Sequence, residues 1–319
     1  PDGPVRLRRK LRATGMRDAD HSAALQPAPV SPERHLDVEF WIAQATQAGE
    51  RVMDIDAIAR FNTLGFSEDP SMADLAALPE VVPTAEAKAA ILAMSRRHTL
   101  PLHFHTGGAV EASDYERYEA ALGLDRLTDP VRLRFGLVLR RTDMRTWPTE
   151  ETAYKNRETI DLDRFQENGL FPGDEVAIVH ESRDGDWYFA RSYNYAAWVR
   201  KAHIAPAARE IAVGFGKTEP FLVVTGGKVT TNFNPRCPAL SELQLDMGVR
   251  VPLADRPTNA NDVDGQNPYT GHVVRMPVRA PSGEADFHTA LVARSQDVRL
   301  GYLPYTRENV LRQGFKFLG

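Results

Sequence analysis

The sequence has a single cysteine, Cys237, so the fold cannot rest on an internal disulfide. It has no run of about 18 apolar residues, which leaves no visible membrane-spanning helix. It has no excess of positive charge. Lys and Arg number 39 against 43 Asp and Glu, for a formal net charge of −4. That balance argues against a nucleic-acid partner, since a phosphate backbone selects for a basic face. It lacks an initiating Met and an apolar signal-peptide core, and a native leader is expected to be missing or altered. Glycine and proline, at 22 each in 319 residues, indicate many turns and short strands rather than a helical bundle. The length suffices for two or three compact units.

What is present is organised around Asp174 to Val199. Val176 to Val179 form one apolar run and Trp187 to Phe189 begin a second. Between them lies Arg183-Asp184-Gly185-Asp186, and Asp-Gly is a strong hairpin signal because glycine tolerates positive φ. A closing strand, Ala196-Ala197-Trp198-Val199, follows Tyr193-Asn194-Tyr195.

Residues 1–35 read as a disordered tail, with a basic cluster from Arg6 to Arg12 followed by Pro27, Pro29 and Pro32 in a small-residue tract. Residues 36–127 read as short helices joined by extended pieces. Asp54 is placed to cap a helix running through Phe61, and Thr84 a longer one from Ala85 to about Arg97. Ser113 and Glu116 have capping-box spacing, and Gly123 stands where that helix should end. His98, His103 and His105 lack the Cys or His-Glu companions of a metal site, so solvated or hydrogen-bonded histidines are expected there.

Residues 128–207 read as a first small barrel. Leu133, Phe135, Leu137 and Leu139 alternate as in a half-buried strand, Arg141 to Thr149 as a long charged loop, and Asp161 to Phe171 as a connector. Residues 208–300 repeat the strand-rich character and read as a second barrel, an internal duplication in outline. Strands are expected at Phe221–Val224, His272–Val278 and Ala290–Val292, and an exposed loop from Asn259 to Gly271. Asp262 and Asp264 in that loop lack the spacing and terminal Glu of an EF-hand. In residues 301–319, Thr306 is a good N-cap, and Val310, Leu311, Phe315 and Leu318 make an amphipathic stripe with no evident partner.

Four motifs carry a resemblance: Arg140-Arg-Thr-Asp-Met-Arg145, His180-Glu-Ser-Arg-Asp-Gly-Asp-Trp-Tyr188, Ser192-Tyr-Asn-Tyr-Ala-Ala-Trp-Val199 and Gly301-Tyr-Leu-Pro-Tyr-Thr-Arg-Glu-Asn309. With the order of segments, they make nearly everything after residue 36 resemble the NlpC/P60 cell-wall peptidases that carry bacterial SH3 (SH3b) domains. The resemblance implies a mainly β fold with an α-helical N-terminal segment and two tandem SH3-like small barrels. It further implies a helix, residues 301–319, leading to a catalytic domain with a Cys nucleophile at a helix start and a His base. The reaction implied is hydrolysis of the γ-D-glutamyl bond to a diamino acid in murein peptides, by attack of a low-pKa thiolate. The N-terminal segment and first barrel of such enzymes narrow the cleft toward short stem peptides with a free N-terminal L-Ala.

That catalytic domain is absent from these residues. Cys237, in Asn234-Pro-Arg-Cys-Pro238, does not match the family nucleophile, so no catalytic residue, cofactor or metal is assigned and this chain alone is expected to be inactive. The candidate substrate-binding residues lie on the loops of the first barrel: Asp143, Arg145, Tyr193 and Tyr195. A carboxylate such as Asp143 suits a free amine, and the tyrosines suit the walls of a cleft. Against this stands the simpler expectation that the tyrosines, Trp187 and Trp198 are barrel core and rim. The expected partners are peptidoglycan stem peptides and an NlpC/P60 catalytic domain in cis or in trans, and the expected location is the bacterial cell envelope. The alternative is a stand-alone SH3b murein-binding module without enzymatic activity. A small-barrel nucleic-acid or protein adaptor fits the acidic balance least.

Overall fold

The computed structural model describes residues 32–255 and 263–318. The expected tail therefore falls outside the described residues up to 31, and Glu33–Leu36 already forms a 3₁₀ turn. Asp262 and the asparagines of the Asn259–Gly271 loop also fall outside, apart from Asn267. Of the rest of that loop, Val263 is buried with Val273 and Leu291, so the segment is not exposed throughout.

Among the described residues four helices come first: α1 (Val38–Gln44), α2 (Ile55–Glu68), α3 (Thr84–Met94) and α4 (Ala112–Ala121). The Asp54 carboxylate accepts from the Ala57 N–H at 2.7 Å and starts α2, which runs seven residues past Phe61, through Gly65, and ends before Pro70. Thr84 does not cap α3. Its hydroxyl donates to the Thr128 carbonyl at 2.7 Å and to Asp129 at 2.8 Å, fastening the helix start to the loop before Val131–Arg132. The capping contact of α4 lies two residues before the expected one, where the Asp114 carboxylate accepts from the Glu111 N–H at 2.9 Å. Gly123 ends that helix with φ of 61°.

The central feature is a seven-stranded antiparallel sheet. Its strands are β1 (Arg134–Val138), β2 (Thr142–Arg145), β3 (Gln166–Leu170), β4 (Glu175–Glu181), β5 (Trp187–Arg191), β6 (Ala196–Arg200) and β7 (Ile204–Ala207). They run in the order β7-β1-β4-β5-β6-β2-β3. The Asp-Gly turn joins β4 to β5 with Gly185 at φ of 80°, as the hairpin signal required. The expected long charged loop contains β2 and the expected connector contains β3. These two pair with each other, Thr142 opposite Leu170. Strand β2 escaped notice because three of its four residues are buried, charged Arg145 among them, so it shows no apolar alternation.

The fold is mainly β with a helical N-terminal segment and is SH3-like, but the sheet does not close into a barrel. Edge strand β7 is engaged elsewhere: the Arg279 guanidinium, from the next group of strands, donates to the Ile204 carbonyl at 2.5 Å and to the Lys201 carbonyl at 2.8 Å. Close packing of β7 on β1 fixes the position of Gly136. A Cβ there would stand 2.8 Å from the Ala205 carbonyl oxygen. Gly136→Ala should therefore lower the unfolding free energy by roughly 1–3 kcal/mol, read as a lower denaturant midpoint with unchanged slope.

The second group of strands is split differently. Phe221–Val224 pairs with Arg250–Pro252 and Val298–Leu300, Lys228–Thr230 with Gln244–Asp246, and Gly271–Arg279 with Ala285–Ala293 in a hairpin of two nine-residue strands. One core that includes Leu222, Leu245, Val251, Met276 and Val292 unites the three pieces. A short helix, α5 (Arg209–Phe215), bridges the two groups, with Phe215 stacked on Phe287 at 5.4 Å.

The last helix, α6 (Arg307–Phe315), is capped by the Thr306 hydroxyl, which accepts from the Asn309 N–H at 3.1 Å. It does have a partner within the chain. Arg51 lies opposite Thr306, the Glu308 N–H donates to the Ala48 carbonyl at 2.9 Å, and Arg312 pairs with Glu39 at 2.6 Å. The amphipathic stripe is only half used, since Val310 and Leu318 stay exposed.

Candidate functional site

The helical segment and the sheet share an aromatic core. Tyr118, Trp147, Phe165, Phe189 and Trp198 are all at most 1% exposed. Trp198 donates its Nε1–H to the Ser95 hydroxyl at 3.0 Å, and Ser95 donates on to the Thr146 carbonyl at 3.0 Å, tying the end of α3 to the sheet. His180 ties α4 in the same way, its Nε2 at 2.9 Å from the Leu122 carbonyl. Burial pushes that imidazole pKa down, so neutral His180 donates from Nε2. Trp187 and Trp198 are thus core residues, and the His180 to Tyr188 motif serves largely to seat the helices.

Arg145 and Asp143 share strand β2 but not an environment. Arg145 is 4% exposed, and its Nη2 meets the Asp163 carboxylate at 2.9 Å and the Glu151 carbonyl at 2.6 Å. Asp163 also accepts the N–H groups of Ala153 and Phe165, each at 3.0 Å. This web pins the loop between β2 and β3. The Glu151 carboxylate extends it by accepting from Tyr118 at 2.6 Å and Arg117 at 2.9 Å. Burial and the Glu151 charge both push the Tyr118 phenol pKa upward. Asp143 is more open, with Arg145 no nearer than 3.8 Å. It borders a cavity of about 250 Å³ with Arg141, Glu150, Trp187, Arg200 and His203. Arg200 lies over the Trp187 ring at 4.7 Å and pairs with Glu150. His203 meets the Thr142 hydroxyl at 2.8 Å, and burial and then Arg140 lower its pKa, which keeps it neutral.

Tyr195 sits elsewhere. The turn from Ser192 to Tyr195 closes through the Ser192 N–H and the Tyr195 carbonyl at 2.8 Å. It aims the phenol at Glu167 on β3, which accepts at 2.7 Å. Burial and Glu167 push the Tyr195 pKa up to about 12. Tyr195 and Glu167 border a cavity of about 380 Å³ together with the chain after α3. Tyr193 is 55% exposed and borders a third cavity, of about 400 Å³, where the two groups of strands meet. That cavity also contains Asp174, pushed up to about 7 by burial, and Glu175, raised for the same reason.

The four residues singled out in the sequence thus border three cavities. Asp143 and Arg145 stay together, while Tyr193 and Tyr195 point to different ones. Sequence reasoning missed Glu151, Asp163 and Glu167, which fix the loop and both walls. Only Asp163 left a trace, since a carboxylate accepting from the N–H two residues on makes an Asx turn.

Elsewhere, Cys237 packs against the second core as the residue before a turn at Pro238–Leu240, and burial pushes its thiol pKa up. A raised thiol pKa is the reverse of what a nucleophile needs. His98 Nδ1 accepts from the Leu100 N–H at 3.2 Å and His103 Nδ1 from the Arg157 Nε–H at 3.3 Å. Among the described residues no three His, Cys, Asp or Glu side chains group as a metal site, and no helix is long and apolar enough to cross a membrane.

Residues 152–200, from the loop after β2 to the end of β6, match the family model for an SH3 domain of the SH3b1 type. The chain is therefore an SH3b-containing protein. Its fold is also that of a solved NlpC/P60 endopeptidase from Photobacterium damselae subsp. piscicida, with a TM-score of 0.61 and 15% identity. The likeness covers 85% of this chain and 58% of that one, so this chain spans little more than half of that endopeptidase's length. No curated protein matches the chain. The chain is thus an SH3b-containing protein related in fold to an NlpC/P60 endopeptidase.

Proposed function

We propose that this chain is the non-catalytic, cell-wall-targeting and substrate-gating region of a murein peptide endopeptidase of the NlpC/P60 type. The observation that carries the reading is the fold shared with an NlpC/P60 endopeptidase across 85% of the chain, with an SH3b1 domain inside it. Both support a cell-wall-associated, peptidase-related role. The chain divides on this reading into a helical clip (36–127), a first SH3b unit (128–207), a second (208–300) and a linker helix (301–319). The γ-D-glutamyl-diamino acid bond is then hydrolysed by a domain that joins in cis or in trans, in the cell envelope. Cys237, with its raised thiol pKa, takes no part.

Asp143, Tyr193 and Tyr195 are the proposed substrate-facing groups. Arg145 contributes by holding the strand that carries Asp143. With an NlpC/P60 catalytic domain supplied, Asp143→Ala and Tyr195→Ala should each shift the preference for L-Ala-γ-D-Glu-diamino acid over longer peptides by about tenfold, the worth of one charge-assisted hydrogen bond. Unchanged preference in both variants defeats gating. Retention of this chain alone on purified murein, indifferent to both substitutions, would instead favour a stand-alone binding module.

A further inference from the structure

The cavity beside Tyr195 has an unusual balance of donors and acceptors. Its carboxylate, Glu167, is fully engaged: one oxygen accepts from Tyr195 at 2.7 Å and the other from the Thr146 hydroxyl at 2.7 Å. What remains unmatched are donors. Among the described residues the guanidinium groups of Arg96 and Arg164 have no carboxylate or carbonyl partner, and both border the cavity. His98 uses Nδ1 as an acceptor toward the Leu100 N–H, which leaves a ring hydrogen on Nε2, unmatched among the described residues. Trp147 borders the same cavity, wholly buried, with an Nε1–H that has no acceptor.

Arg97 adds charge at the rim while remaining paired with Glu119 at 2.7 Å. Three arginines thus face one carboxylate here, in a chain whose formal net charge is −4. A cavity of about 380 Å³ is large enough for a ligand of small-molecule size. Forked guanidinium donors match a carboxylate in geometry as well as charge.

We propose that this cavity is a binding site for a small carboxylate ligand, held by Arg96 and Arg164 with His98 donating from Nε2. The ligand class is a dicarboxylate or a peptide carrying a free carboxylate, not an amine. The inference rests on the cavity's own donors, although Tyr195, one of the proposed substrate-facing groups, borders the same cavity. Murein binding and peptide preference can fail while this site still takes its ligand.

The test titrates the full chain by calorimetry with glutarate and, separately, with its uncharged isostere glutaramide. Glutarate should bind saturably and glutaramide should not. Arg164→Gln and Arg96→Gln, both at exposed positions, should each weaken glutarate binding by roughly tenfold while leaving the melting temperature in place. No saturable glutarate binding overturns the proposal. So does equal binding of glutaramide, or glutarate affinity unchanged in both arginine variants.

Discussion

Arg145→Ala is expected to lower the unfolding free energy by about 3–5 kcal/mol, the usual consequence of removing one partner of a buried ion pair. The substitution leaves Asp163, only 10% exposed, with a charge that nothing neutralises. It also frees the Glu151 carbonyl, which the guanidinium holds at 2.6 Å. The loop between β2 and β3 should loosen with it, because Asp163 organises the N–H groups of Ala153 and Phe165. Asp143→Ala two residues away should change stability by no more than about 0.5 kcal/mol, since its nearest guanidinium nitrogen is 3.8 Å off and the carboxylate is 39% exposed. Chemical denaturation of the two variants separates the roles. An Arg145→Ala protein as stable as the parent would return Arg145 to the substrate-facing set.

Replacing Asp174 by Asn should remove a pH dependence of the opposite sign to ordinary acid denaturation. The Asp174 carboxyl lies beside Glu175 at the junction of the two groups of strands and accepts from the Phe171 N–H at 2.8 Å. Burial, its largest influence, raises the pKa from 3.8 to about 7, and the Glu175 charge adds to it. Between those two values the folded chain holds a proton that the unfolded chain has released. Stability from this group is fully present below pH 4, declines as pH rises through the window, and is gone above about pH 7. Linkage bounds the change at about 4 kcal/mol. Asn keeps an oxygen for the Phe171 N–H without a charge to bury. Compared with the parent, Asp174→Asn should gain stability at about pH 8 and none at about pH 4. A difference between the two proteins that stays constant with pH would show that Asp174 ionises normally.

Much of the β architecture was legible because it is written locally. The hairpin of β4 and β5 follows from an Asp-Gly turn between two apolar runs, and Phe221–Val224 was found at its observed bounds because a short apolar run between polar residues reads as a buried strand. The Thr306 cap follows from one side chain and an N–H three residues on. Strands β2 and β3 were missed for the converse reason. Their residues are polar, and they are strands because they pair with each other across more than twenty residues of chain.

The candidate site divides along the same line. Sequence alone named Asp143, Arg145, Tyr193 and Tyr195 as candidates and set Cys237 between Arg236 and Pro238. Only tertiary structure decided that Arg145 is buried against Asp163, that Tyr193 and Tyr195 face different cavities, and that Arg96, Arg164 and Glu167 border one cavity. It likewise decided that α6 rests on the first helix, through Arg312 and Glu39. The reason is physical: a cap or tight turn acts within about four residues and leaves a pattern in the chain, whereas burial, ion pairing and cavity shape depend on which distant segments meet.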